Sequence, residues 1–247
     1  MVNGSVFSRM IEYASLTSRD MVLDVGAGFG FLTEYLAERC KRILAVESDP
    51  KLAQFLRERF HDASNVEVVE GDVLEVRISS FNKVVSIPPY QISSRFMLWL
   101  FDRKFDCAVL IFQKEFAEKL VASIGSRDYG RLTVLTYYHS EVELLGAIPK
   151  ESFCPQPKID STILRVTPRT VMPFHLRNEE MFSRLVQSMF TERNRKVRNA
   201  LMAFLKSVMR IQKHKALRLA DSAPFKDKRV RELAPEDFAV LGNAFAD

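Results

Sequence analysis

Short apolar runs alternating with amphipathic stretches dominate the first two thirds of the chain. Residues 21–25, 42–47, 66–70, 83–87 and 107–112 are compact apolar runs, rich in β-branched residues and bounded by turn residues, which predicts buried strands. An amphipathic segment from Phe31 separates the first two runs. Residues 50–60 separate the second and third, with Pro50 suited to an opening helical turn. Repeated βα units imply an α/β fold whose largely parallel sheet is covered on both faces. Residues 131–138 and 161–166 read as further strands, about seven in all. The segment 168–173, with a proline at each end, breaks the pattern. Beyond it Phe182, Leu185, Val186, Met189 and Phe190 recur at helical spacing, and Val197, Leu201 and Leu205 continue a second stripe. A domain boundary near residue 170 is expected, dividing an α/β domain over 1–169 from a small helical domain over 170–247.

Composition narrows the class. The 247 residues are 47% hydrophobic and 27% charged, an ordinary globular balance that permits one substantial core. No apolar stretch reaches the length of a membrane span and the first residues lack a signal-peptide pattern, so a cytoplasmic protein without a membrane partner is expected, and a monomer. Cys40, Cys107 and Cys154 are odd in number and widely separated, and His61, His139, His175 and His214 show no ligand spacing. Neither a disulfide framework nor a metal site is expected. Charge is distributed unevenly. Residues 168–247 carry 16 Lys and Arg against 9 Asp and Glu, whereas the rest of the chain is slightly acidic. Positive charge concentrated in the helical tail suits a polyanion partner.

The sharpest local chemistry is Asp24-Val25-Gly26-Ala27-Gly28-Phe29-Gly30, which follows the first strand and opens a helix. Glycines there let the backbone turn tightly and approach a ligand, as in nucleotide-binding crevices. Glu47, followed by Ser48, ends the second strand, where a carboxylate can accept both ribose hydroxyls of a nucleoside. Asp72, before Val73 and after the third strand, can accept from an adenine amino group. A strict dinucleotide fingerprint would place its third glycine at position 31, which is Phe31; the glycine stands at Gly30 instead. Successive glycine-rich or acidic strand ends therefore favour S-adenosylmethionine over NAD as the cofactor.

These segments together resemble the small-subunit ribosomal RNA adenine dimethyltransferases. The resemblance runs through DVGAGFGFLT (24–33), AVESD (45–49), EGDVL (70–74), PPYQISS (88–94) and FQKEFAEKL (112–120). It continues through YGRLTVL (129–135), FCPQPKIDS (153–161) and RNRKVRNAL (193–201). It implies a Rossmann-like S-adenosylmethionine-dependent sheet of about seven strands with a helical RNA-binding domain. It also implies dimethylation at N6 of two adjacent adenosines near the 3′ end of small-subunit rRNA, with the pre-ribosomal small subunit as partner. The cofactor residues so implied are Asp24, Gly26, Ala27, Gly28, Glu47, Ser48, Asp72, Val73 and Ser86.

In that family the loop after the fourth strand supplies a polar acceptor for the adenine amino group, then an apolar residue, a proline and an aromatic platform. Here it reads Ser86-Ile87-Pro88-Pro89-Tyr90. Tyr90 is the expected stacking ring and the Pro88 carbonyl a backbone acceptor. Ile87 stands in the acceptor's slot and cannot accept a hydrogen bond. Either Ser86 supplies a displaced, weaker acceptor or the site is impaired while substrate binding survives. A Gln-x-Phe-Leu segment that family members carry before the region of Val2-Asn3-Gly4 does not precede it in this sequence, which implies weak cofactor affinity. For RNA, Arg193, Arg195, Lys196 and Arg198 are the expected phosphate contacts, with Lys226, Lys228, Arg229 and Arg231 as a second cluster. Phe153 is either a second stacking face or a core plug. Competing readings are a large-subunit rRNA adenine methyltransferase, a catalytically weakened rRNA-binding assembly factor and, distantly, an NAD-linked oxidoreductase.

Overall fold

The computed structural model describes residues 4–153, 156 and 159–245. Its elements in chain order are α1 (Gly4–Tyr13), β1 (Met21–Val25), α2 (Phe31–Ala37), β2 (Arg42–Glu47), α3 (Pro50–Arg59) and β3 (Val66–Glu70). Then follow β4 (Lys83–Ser86), α4 (Ser93–Phe101), β5 (Cys107–Gln113), α5 (Lys114–Leu120), α6 (Arg131–His139), β6 (Ser140–Ile148) and β7 (Ser161–Pro168). The chain closes with α7 (Glu179–Thr191), α8 (Val197–Ser207), α9 (Lys213–Ser222) and α10 (Pro235–Asn243).

The seven strands form one sheet in the order β3-β2-β1-β4-β5-β7-β6. The first five are parallel, and β7 runs antiparallel to both β5 and β6. Successive residues of β1, β2, β4 and β5 are nearly all buried, so both faces are covered, as a parallel sheet requires. On one face Val22, Ile43, Ala45, Val85, Val109 and Ile111 pack with Phe7 and Met10 of α1 and Leu32 and Leu36 of α2. Chain order reverses between β1 and β4, which opens a crevice at the carboxyl ends of those strands. Asp49 caps α3 by accepting from the Lys51 and Leu52 amides, with Pro50 in the first turn as expected.

Two expectations need correction. Residues 131–138 are helical, within α6, and the seventh strand is instead β6. Thr133, Val134, Leu135, Thr136 and Tyr138 of α6 are all buried, so the helix shows no polar face and its β-branched composition mimics a strand. β6 pairs only with β7, alternates weakly and carries a register shift between Leu144 and Gly146, so neither a continuous apolar run nor a clean alternation marks it.

The chain divides into two compact units, Met1–Ala117 with Ser140–Pro168, and Glu118–His139 with Arg169–Asp247. The helical unit thus takes in residues 118–139, which the expected division at 170 gave to the α/β domain. The reason is burial. Tyr129 is enclosed in the helical unit and its hydroxyl donates to the Leu233 carbonyl at 2.7 Å. Phe182, Leu185, Val186 and Met189 of α7 are buried, as are Val197, Leu201 and Leu205 of α8, along the expected stripes. Asn178 caps α7 through the Met181 amide.

Candidate active site

The glycine loop leaves β1 with Gly26 at φ +71°, Gly28 at +58° and Gly30 at +78°. At Gly26 the left-handed backbone is enforced by proximity, since a Cβ there would lie 2.8 Å from Pro89 Cδ. The loop is therefore pressed against the segment after β4. At Gly30, which precedes α2, a Cβ would meet Phe60 Cε2 at 2.6 Å. Gly30 serves helix packing, not a dinucleotide spacing.

Glu47, buried at the end of β2, braces this loop. Its Oε2 accepts from the Gly28 amide at 2.9 Å and its Oε1 from the Asp49 amide at 2.9 Å. Each oxygen keeps a further lone pair for a ligand hydroxyl. Asp24 lies beneath the loop, sealed from solvent, and accepts from the Thr33 hydroxyl at 2.8 Å. Burial pushes its carboxyl up to about 7, the Thr33 hydrogen bond opposes the rise, and the nearby Glu47 charge adds to it.

A cavity of ≈ 130 Å³ opens where β1, β2, β3 and the loop after β4 converge. Gly26, Ser48, Asp72 and Val73, all expected at the cofactor, line it together with Val25, Val46 and Gly71. Pro89, Gln91 and Ile92 form the wall contributed by the loop after β4. Asp72 Oδ1 accepts from the Leu74 amide at 2.9 Å, so the other oxygen faces no printed intramolecular donor. Apolar strand-end valines beside a carboxylate and a hydroxyl suit a nucleoside with an amino group and sugar hydroxyls. Asp24, Ala27, Gly28, Glu47 and Ser86 do not line the cavity; Asp24 and Glu47 act from behind the loop. Gln91 and Ile92 were not expected here, although they directly follow the Pro-Tyr pair that pointed to the loop.

Ser86 cannot act as the displaced acceptor. It is fully buried, and its hydroxyl accepts from the Val25 amide at 2.9 Å while donating to the Val25 carbonyl at 2.8 Å. Both bonds stitch β4 to β1. Ile87 is half-buried and packs against the hydrophobic cluster under the sheet. Tyr90, in a single turn of 3-10 helix at Tyr90–Ile92, shares a 2.8 Å hydrogen bond with Ser161 Oγ at the start of β7. Burial raises the Tyr90 phenol above its usual range, and the Ser161 bond partly offsets this. Phe153 is half-buried against the same hydrophobic cluster as Ile87, Ile148 and Ile163, and is a core plug. Cys154, Pro155 and Pro157 of the FCPQPKIDS segment lie outside the described residues. Cys40 and Cys107 are free thiols, and among the described residues no group of His, Cys, Asp or Glu could hold a metal ion.

The expected phosphate-binding cations are partnered within the helical unit. Arg193 donates to the carbonyls of Arg127 and Ser126 at 2.7 and 2.9 Å. Arg195 pairs with Glu192 at 2.5 Å, Lys196 with Asp227 at 3.1 Å, and Arg198 with Asp221. In the second cluster Lys226 donates to the Asp221 carbonyl, Lys228 pairs with Asp237 and Arg229 donates to the Asn194 carbonyl. Arg195, Lys196 and Arg198 are surface pairs that a phosphate can replace at little cost; Arg193 is committed to two backbone carbonyls. No helix among the described residues is long and apolar enough to cross a membrane.

Known proteins of similar sequence and shape converge on one group. A probable ribosomal RNA small subunit methyltransferase A from Methanosarcina mazei is 38% identical over 247 residues, covering 100% of this chain and 90% of that one. Its counterpart from Thermococcus onnurineus is 37% identical over 239 residues, covering 96% and 86%. The crystal structure of a dimethyladenosine transferase from Plasmodium falciparum superposes with a TM-score of 0.80 at 26% identity, covering 97% of this chain and 94% of that one. The crystal structure of the 23S rRNA methyltransferase ErmE gives a TM-score of 0.68 at 28% identity, covering 97% and 96%. The ribosomal RNA adenine dimethylase profile matches residues 1–236. A Rossmann-like sheet with an adenosine-compatible crevice, a Pro-Tyr loop on its wall and relatives matching end to end place this chain in the ribosomal RNA adenine dimethylase family.

Proposed function

We propose that this chain transfers methyl groups from S-adenosylmethionine to N6 of two adjacent adenosines near the 3′ end of small-subunit rRNA, on a pre-ribosomal small subunit. The carrying observation is that one short loop serves both partners: Pro89, Gln91 and Ile92 form a wall of the nucleoside cavity, and Tyr90 lies between them in sequence. Relatives named for the small subunit match the whole chain at 38% identity, which supports that subunit over the large one.

When bound, S-adenosylmethionine supplies a methyl group on a sulfonium whose C–S bond breaks with its electron pair left on sulfur. The chain's own residues bind and orient. Asp72 accepts from the cofactor's adenine amino group, and Glu47, braced on Gly28 and Asp49, accepts from its ribose. The ring of Tyr90, steadied by Ser161, stacks on the target base and fixes its plane. The N6 nitrogen forms the new bond to the methyl carbon and releases one proton to water. Arg195, Lys196 and Arg198 exchange carboxylate partners for RNA phosphates, which positions without specifying sequence.

A second reading has one specific observation behind it. With Ser86 sealed in the sheet and Ile87 in the core, neither side chain presents an acceptor to N6. Loss of one preorganised acceptor costs about 10²- to 10³-fold unless another group replaces it, and a chain so weakened would serve as an rRNA-binding assembly factor. Tritiated methyl transfer to under-methylated small subunits, beside naked rRNA, separates the two. Label in adenine N6 of small-subunit rRNA is expected; tight rRNA binding with no transfer would establish the assembly role instead.

A further inference from the structure

We propose that Gln91 supplies the side-chain acceptor for the target adenine amino group that position 87 lacks, an inference that rests on the methyltransferase reading above. The loop from Ser86 to Ile92 is the only segment that brings an aromatic platform to the cavity wall, so an acceptor for N6 belongs on it. Its polar side chains are few, and all but one are committed. Both hydrogen-bonding directions of Ser86 are used on Val25. The Tyr90 hydroxyl is held by Ser161. Ile87, Pro88, Pro89 and Ile92 have no acceptor in their side chains. Ser93, just beyond, donates to the Tyr90 carbonyl and is buried.

Gln91 remains. It lines the cavity, is exposed, and its carboxamide makes no hydrogen bond within the described residues. It follows Tyr90 directly in the same helical turn, so stacking ring and amide oxygen move as one unit. The other polar groups on the cavity wall, Ser48 and Asp72, stand at the ends of β2 and β3, on the cofactor's side. An amide oxygen is neutral, accepts an N–H without taking the proton, and keeps the N6 lone pair free to form the N–C bond. The family's asparagine slot and Gln91 carry the same functional group, and the longer side chain can bring it in from four residues further on.

The test is a mutant cycle in the full chain, with single-turnover methylation of under-methylated small subunits as readout and S-adenosylmethionine affinity measured by calorimetry. Gln91→Ala is expected to slow transfer about 10²-fold with cofactor affinity held within about threefold. Gln91→Glu, which keeps acceptor oxygens, is expected to retain transfer within about tenfold of the wild type. Ile87→Asn alone is expected to gain less than about tenfold, but about 10²-fold in the Gln91→Ala background, because the two amides substitute for each other. Equal gains from Ile87→Asn in both backgrounds, or a Gln91→Ala variant as fast as wild type, would overturn the role of Gln91 and leave the methyltransferase reading standing. Absence of transfer from both wild type and Ile87→Asn would overturn the reading itself, and the Gln91 role with it.

Discussion

At the scale of single residues, the site is governed by which polar atoms are already used. Tyr90 and Ser161 share one hydrogen bond, and neither lines the nucleoside cavity. Tyr90→Phe and Ser161→Ala should each cost about 1 kcal/mol of stability and lower the methylation rate with cofactor affinity unchanged. The double variant should be no worse than either single one. Strictly additive losses in that cycle would mean the two hydroxyls act separately. Asp24 makes a pH-dependent contribution. Its carboxyl, 3.8 in the unfolded chain, rises to about 7 when folded. Between those values the folded chain holds a proton that the unfolded chain has lost, so stability is greatest below the lower value and declines as pH rises towards 7. Denaturant unfolding at about pH 4.5 and pH 8 should show that decline in the wild type and a smaller one in Asp24→Asn. An undiminished decline in the variant would show that the slope belongs to other groups.

At the scale of elements, β1, β2 and β3 were legible to the residue, because central parallel strands are continuous apolar runs between turns. α6 and β6 were not. Helix α6 is buried nearly all round, which erases its 3.6-residue pattern, and edge strand β6 is too exposed and irregular to show a two-residue one. The glycine loop was legible as a motif, but the different duties of its glycines were not. Gly26 faces Pro89 at 2.8 Å, whereas a Cβ at Gly28 would meet nothing nearer than 3.9 Å. Both have positive φ, so both alanine variants should be strained by about 1 kcal/mol or more. Only Gly26→Ala should also displace the Pro89 segment and weaken S-adenosylmethionine binding. Calorimetry in which Gly28→Ala is the more damaging variant would contradict this account.

For the whole molecule, the basic tail separates into cations that bind and one that builds. Arg193 ties the chain at 191–198 to carbonyls 66 and 67 residues earlier, inside the helical unit. Arg193→Ala should therefore lower the thermal midpoint, losing about 1–3 kcal/mol. Arg195→Ala should leave that midpoint nearly unchanged and reduce the salt dependence of rRNA affinity. The reverse pattern in melting and salt-titration data would reassign the two. The sequence by itself determined the α/β class, the first five strands, the glycine loop, the cofactor carboxylates, the Pro-Tyr pair, the missing acceptor at Ile87 and the charge asymmetry, because each is written in local spacing. Only the tertiary structure decided that Ser86 is spent on Val25, 61 residues away, that Phe153 and Ile87 belong to the core, that residues 118–139 join the helical unit, and that Gln91 is left with a free amide at the cavity. The reason is hydrogen-bond valence and burial: whether a polar atom is available for a ligand depends on partners that chain folding brings from distant positions, and local pattern carries no record of them.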